Sequence, residues 1–233
     1  MKPALPFVGR KREIAQLRWL HARRKHVLIL GPAGVGKTAL VAHLRDSLGL
    51  RVCPASERLS EICDALERGP GFEAGKLHLV RRRNRLLKSF TGAQYAVVFD
   101  GVSWTTPKIS SFFDCVSECM PVWICARSEH AWDIGHFWQC LWKFERVELH
   151  PFHLADTRAL VEAAVNTGQI RAATRDVVER LHHLSAGNPQ VLCGLLDGLA
   201  DERYDPRKLF DLKLLDLDRR IKKLNANAIP LHA

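Results

Sequence analysis

At 233 residues the chain has room for one large domain, or for one domain with a small appendage. Hydrophobic residues make up 47% of it, enough for a real core, yet no apolar run approaches the roughly 20 residues of a membrane-spanning helix. The formal net charge of +10 favours anionic partners, whether nucleotide, nucleic acid or an acidic protein face, without choosing among them.

The first residues, Met1 to Pro6, lack the long apolar segment of a secretory signal, which predicts a cytoplasmic location with no membrane contact. Phe7-Val8-Gly9-Arg10 then precedes a helical stretch from Lys11 to about Ala22, with Ile14, Leu17 and Leu20 as apolar positions. Locally this box reads as a hydrophobic staple before a helix. The run His26-Val27-Leu28-Ile29-Leu30 is short, apolar and rich in branched residues, and it predicts a buried parallel strand.

Gly31-Pro32-Ala33-Gly34-Val35-Gly36-Lys37-Thr38 follows at once and fits the phosphate-binding pattern G-x-x-x-x-G-K-[ST] at every fixed position. A helical pattern from Ala39 to Leu44 completes a strand, glycine loop and helix. Glycines let the backbone curl so that successive N–H groups form an anion nest. The helix aims its positive end at the same point. Lys37 is placed to reach the β- and γ-phosphates, and the Thr38 hydroxyl to ligate Mg²⁺. Gly31 through Ala39 are therefore the candidate nucleotide-binding residues.

Leu50 to Cys53 predicts a second strand, and Glu57 to Glu67 a helix with Leu59, Ile62, Cys63 and Leu66 on one side, broken at Gly69-Pro70-Gly71. Lys76 to Lys88 is a basic helical run. Such a run is by default a solvated face; the sharper alternative is a nucleic-acid surface formed by Arg81, Arg82, Arg85 and Lys88. Tyr95 to Asp100 reads as an apolar strand whose Asp100 lies at its carboxyl end and supports Mg²⁺ near Thr38. A helix is expected from Pro107 to Cys119. The seven cysteines include no C-x-x-C pair, so reduced thiols fit better than a metal site, even for Cys115 and Cys119.

Pro121 to Ser128 predicts another core strand, ending near Arg127. Ala131 to Trp142 carries Trp132, Phe137, Trp138 and Trp142, for which packing of a helix onto the core is expected and a base-stacking platform is the alternative. Phe144 to Leu149 is the last strand. Helices are then expected from Ala155 to about Asn166, from Thr174 to Leu184 and from Gln190 to Leu199. Between the last two, Gly187 suits a helix C-cap and Pro189 a first helical turn. Leu209 to Leu224, with Leu212, Leu215, Ile221 and Leu224, is either a final helix of this group or a partner-binding helix.

In this order, the Phe-Val-Gly-Arg box, the phosphate loop, the apolar strand ending in Asp, the strand ending in Arg and the Gly187-Asn188-Pro189 box resemble the AAA+ and STAND branch of P-loop ATPases, near its archaeal and origin-recognition-like members. The resemblance covers residues 7 to about 199. It implies an α/β fold: a parallel-sheet P-loop NTPase core over 1–150 with helices on both faces, and a small helical lid with a C-terminal helix over 151–233. It implies that Phe7, Val8, Gly9 and Arg10 hold adenine, that Pro189 packs near it, and that Arg127 senses the γ-phosphate. ATP and Mg²⁺ are the implied cofactors, with Lys37, Asp100 and Arg127 as catalytic residues. One departure stands out: Gly101 follows Asp100, where related ATPases carry a second acid that polarises water. Binding survives this change, whereas hydrolysis is expected to be weak, partner-dependent or absent. The expected function is an ATP-dependent switch that binds ATP or ADP and self-associates with ATP. The alternatives are a DNA-binding helper ATPase, with duplex DNA or a protein as partner, and a non-hydrolysing scaffold.

Overall fold

The computed structural model describes residues 5–68, 78–171, 173–200 and 203–227. Two compact units divide the chain: Arg10–His150, and Pro151 onward together with the segment through Gly9.

The Arg10–His150 unit runs α1 (Lys11–Ala22), β1 (Val27–Leu30), α2 (Lys37–Leu48), β2 (Arg51–Pro54), α3 (Leu59–Glu67), α4 (Leu79–Phe90), β3 (Val97–Val102), α5 (Pro107–Cys119), β4 (Val122–Ala126), α6 (Ala131–Ile134), a 3-10 segment (His136–Lys143) and β5 (Glu145–Glu148). The strands form one parallel sheet in the order β2-β3-β4-β1-β5. Strands β1 and β4 are buried at every residue, as central strands covered on both faces must be, which is why they read as unbroken apolar runs. Leu28, Phe99 and Ile124 join α3, α4 and α5 in one core through Ile62, Leu86, Phe112 and Phe113. Successive strand residues point to opposite faces, so Val27, Ile29 and Trp123 face the other way, where α1 and α2 bury Leu17, Leu20, Leu40 and Leu44. From β1 the chain passes to β2 at the far edge of the sheet and later returns to β5 on the other side of β1. The loop after β1 therefore sits at a topological switch point, where open α/β sheets bind ligands.

Local chemistry sets several boundaries. Thr106 caps α5 through its hydroxyl, with Pro107 at the first helical position. Helix α3 starts at Leu59 rather than Glu57, because the Ser56 hydroxyl accepts the Arg58 N–H at 3.1 Å and holds a turn there. The expected break at Gly69-Pro70-Gly71 and the start of the basic run at Lys76 lie outside the described residues.

One expectation is corrected. The aromatic stretch is not one helix packed on the core. Gly135 stops α6 after four residues, with φ 67° and ψ −147°, a conformation open essentially to glycine alone. Phe137 is fully buried, but Trp132, Trp138 and Trp142 are 70%, 51% and 78% exposed. The early stop turns the tryptophans outward.

The second unit contains α7 (Leu154–Asn166), α8 (Arg175–Ser185), α9 (Pro189–Leu199) and α10 (Leu209–Asn227). They share a core that includes Leu160, Val161, Leu181, Leu192, Leu195 and Leu212, against which Val8 packs. The Asn188 side chain accepts from the N–H groups of Gln190 and Val191, and Pro189 opens α9. Among the described residues no helix is long and apolar enough to cross a membrane.

Candidate functional site

The phosphate loop joins the end of β1 to the start of α2. Gly31, Gly34 and Gly36 take φ of 151°, 79° and 101°, the region that side chains disfavour. Gly31 also has no room for a Cβ, which would lie 2.6 Å from the Leu149 carbonyl oxygen. Gly36 is the N-cap of α2 and supplies no side-chain cap, so the first N–H groups of that helix are left for another acceptor. The Lys37 ammonium donates to the carbonyls of Gly31 at 2.5 Å and Pro32 at 3.1 Å. Burial lowers the Lys37 pKa and Arg127 pushes the same way, opposed by Asp100. Arg10, in left-handed conformation, donates to the Val35 carbonyl at 2.9 Å and pairs with Glu13 at 3.1 Å.

Asp100 lies in β3 beside a bulge: Gly101 has φ 78°, and the β3–β4 register shifts between Phe99 and Val102. The neighbouring β4 residue Cys125 is fully buried. Burial pushes its thiol pKa far up, and the neighbouring Asp100 carboxylate adds to that. A neutral thiol therefore sits beside Asp100, an arrangement that the strand pattern alone did not reveal.

These groups open on a cavity of about 400 Å³, lined by Ala33, Lys37, Gly101, Trp104, Cys125, Arg127, Trp132 and Asp133. Asp133 is the residue the sequence reading missed. It comes from α6, and one local and one long-range pairing hold it in place. The Ser128 hydroxyl donates to its carboxylate at 2.6 Å. The Trp104 N–H donates to its carbonyl at 3.0 Å, beside a parallel bridge between Thr105 and Gly135. Trp104 itself has φ 32°, and it and Trp132 are 60% and 70% exposed.

An anion fits this loop: uncapped helix donors, a curled glycine backbone, and two cations, Lys37 and Arg127, on one cavity. Among the described residues no group of three His, Cys, Asp or Glu side chains could hold a metal by itself. Magnesium asks for less, since it keeps waters and takes one or two protein oxygens plus phosphate oxygens. Thr38, in the first turn of α2, and Asp100 are of the right chemistry. All seven cysteines are free.

Gly31 through Ala39, Asp100 and Arg127 lie in the sheet unit with Arg10. Phe7, Val8, Gly9 and Pro189 belong to the helical unit. The proposed nucleic-acid face is partly occupied within the molecule. Arg82 pairs with Glu67 and Asp64, each at 2.5 Å, and Arg85 pairs with Glu67 at 3.1 Å, fastening α4 to α3. Burial alone would raise the Glu67 pKa, but hydrogen bonds from Arg82 and Arg85 outweigh it and hold the carboxyl below its ordinary range. Arg81 and Lys88 lie on the same helix.

Solved structures similar in shape share little sequence with this chain. The Orc1 protein of Aeropyrum pernix, solved in complex with DNA, superposes with a TM-score of 0.68 at 18% identity, over 98% of this chain and 70% of that one. A Walker-type ATPase of Pyrococcus abyssi gives 0.66 at 13% identity, over 95% and 77%. The RuvB Holliday junction branch migration motor of Thermotoga maritima gives 0.57 at 16%, over 97% and 79%. At such identities these likenesses speak for the fold, a parallel-sheet P-loop NTPase. No curated protein matches by sequence. The family described as AAA ATPase domain matches residues 6–209, a span that takes in the phosphate loop, the Asp100 strand, the Arg127 strand end and the Gly-Asn-Pro turn, and by that match the chain belongs to the AAA ATPase domain family.

Proposed function

We propose that this chain is an ATP-dependent molecular switch with weak or partner-dependent hydrolysis, in which the helical unit serves as the lid. The observation that carries the reading is a complete phosphate loop beside a β3 strand that offers Asp100 and then a glycine bulge. Lys37 and the loop N–H groups bind the phosphates, and Arg127 reads the γ-phosphate from the end of β4. Thr38 and Asp100 would hold Mg²⁺, which when bound neutralises phosphate charge. What turnover there is draws on Asp133, the carboxylate that lines the cavity, as the group that orients water.

The test is ATP affinity and steady-state turnover by the purified chain with Mg²⁺, beside Asp133→Asn. Tight binding with slow turnover is expected. Asp133→Asn should leave affinity within a factor of about two and lower turnover at least roughly tenfold, in line with the usual worth of a general base. Fast turnover untouched by the substitution would refute the reading.

A second reading, a DNA-binding helper ATPase, draws on the net charge of +10. It is weakened at α4, where Arg82 and Arg85 are engaged by Glu67 and Asp64.

A further inference from the structure

Helix α10 has two apolar faces. Leu212 and Leu215 are buried in the core of the helical unit, on the side where α10 packs against α8 and α9. A second row comprises Phe210, Leu214, Leu217, Ile221 and Leu224, which are 74%, 39%, 52%, 46% and 69% exposed. Their spacing is four, three, four, three. That is the alternation of a heptad seam, with Leu214 and Ile221 at a, and Phe210, Leu217 and Leu224 at d. A helix in contact with its unit on one side has no need of leucines on the other.

The flanking charges identify the occupant. The g positions are Lys213 and Arg220, and the e positions are Asp211, Asp218 and Asn225. In a parallel pair, each g residue faces the e residue five positions on in the partner helix, so Lys213 of each copy meets Asp218 of the other. An antiparallel pair would set the basic g rows against each other and Asp218 against its own counterpart. In the second heptad, Ile221 at a with Leu224 at d is the pairing that favours two strands over three. Asp218 already accepts from the Tyr204 hydroxyl at 2.5 Å, and a carboxylate has capacity for a second donor. Arg220 is paired with Asp216 of its own helix at 2.7 Å, which leaves the Lys213–Asp218 pair to set orientation.

We propose that α10 joins two copies of this chain as a parallel, in-register two-stranded coiled coil. A free helix with so few heptads is marginal in water. Here Leu212 and Leu215 already hold α10 helical, so association need not supply the ordering entropy. The seam lies on the opposite side of α10 from α8 and α9, so each copy keeps its own helical unit intact.

The experiment is sedimentation velocity on the whole chain without nucleotide, over a wide range of loading concentrations. The parent chain should pass from monomer to dimer as concentration rises. Leu217→Asp and Ile221→Asp should each remain monomeric with an unchanged circular dichroism spectrum, since both sites are exposed. Lys213→Glu and Asp218→Lys should each weaken the homodimer, and a mixture of the two should recover a heterodimer. Leu224→Cys should form an intermolecular disulfide absent from the parent chain, because only a parallel in-register pair brings that position onto itself. A chain that is monomeric throughout would overturn the proposal. So would a dimer indifferent to Leu217→Asp, or one lost on Lys37→Ala, which would place the contact at the nucleotide site.

Discussion

Lys37→Ala should abolish ATP binding under conditions that saturate the parent chain. Removing one partner of a desolvated charge pair costs about 3 kcal/mol or more, a loss on the order of 100-fold in affinity. The fold should survive, because among the described residues the Lys37 ammonium bonds to the Gly31 and Pro32 carbonyls alone, groups of a solvent-facing loop that water can satisfy. Isothermal titration with ATP and Mg²⁺, beside a denaturation curve, separates the two effects. Affinity unchanged by the substitution would remove the phosphate loop from the site. A parallel loss of stability would show that Lys37 is needed for the fold.

Gly135→Ala should be the most damaging single methyl in the sheet unit. A Cβ at this position would stand 2.4 Å from both the backbone nitrogen and oxygen of Thr105, and neither can swing aside as a side chain might. The backbone conformation adds a further penalty. Overpacking and strain together amount to about 3–5 kcal/mol. The damage falls on the site as well. Gly135 lies against Thr105, whose hydroxyl donates to the Ile134 carbonyl at 2.5 Å and accepts the Phe137 N–H at 3.0 Å. This knot holds Trp104 and Asp133 at the cavity. Gly101→Ala is the comparison: φ is also positive, at 78°, but a Cβ there meets nothing within 4 Å, so it should cost only about 1 kcal/mol. Urea denaturation of the two variants decides the matter, and equal losses would show that the Thr105 contact carries no strain.

The fold was legible because its marks are local and dense. Gly31 through Thr38 lie in one unbroken stretch, and β1 and β4 are apolar at every position, so the sheet core and its phosphate loop could be read without tertiary information. Asp100 was expected to end its strand, but β3 runs on to Val102, and the bulge at Gly101 was missed, although a glycine inside a strand pattern is itself a bulge signal. Asp133 was out of reach, since its place at the cavity depends on the distant pairing of Thr105 with Gly135, and the nearby Ser128 gives no sign of it. The tryptophans misled for a related reason. Their spacing allowed a packed helix, and only the conformation of Gly135 shows that the helix stops. Arg82 and Arg85 looked free in a basic run because their carboxylate partners, Asp64 and Glu67, belong to the preceding helix. In α10 the apolar residues of two faces were visible together, and only burial separated Leu212 and Leu215 from Ile221 and Leu224.

The bond from Arg10 to the Val35 carbonyl bears on the polarity of a single peptide plane. In a trans peptide the C=O and the following N–H point in opposite directions. A guanidinium that pulls the Val35 oxygen to one side therefore turns the Gly36 N–H to the other, and the plane cannot flip without breaking that bond. Glycine at position 36 would otherwise make such a flip easy. Arg10 thus acts as a latch on the orientation of one loop donor, at a distance from any phosphate. Arg10→Ala should lower ATP affinity roughly tenfold, about the worth of one charged hydrogen bond. ¹⁵N relaxation dispersion at Gly36 should report a flipping amide in the variant and a still one in the parent chain, and a quiet Gly36 in both would dismiss the latch.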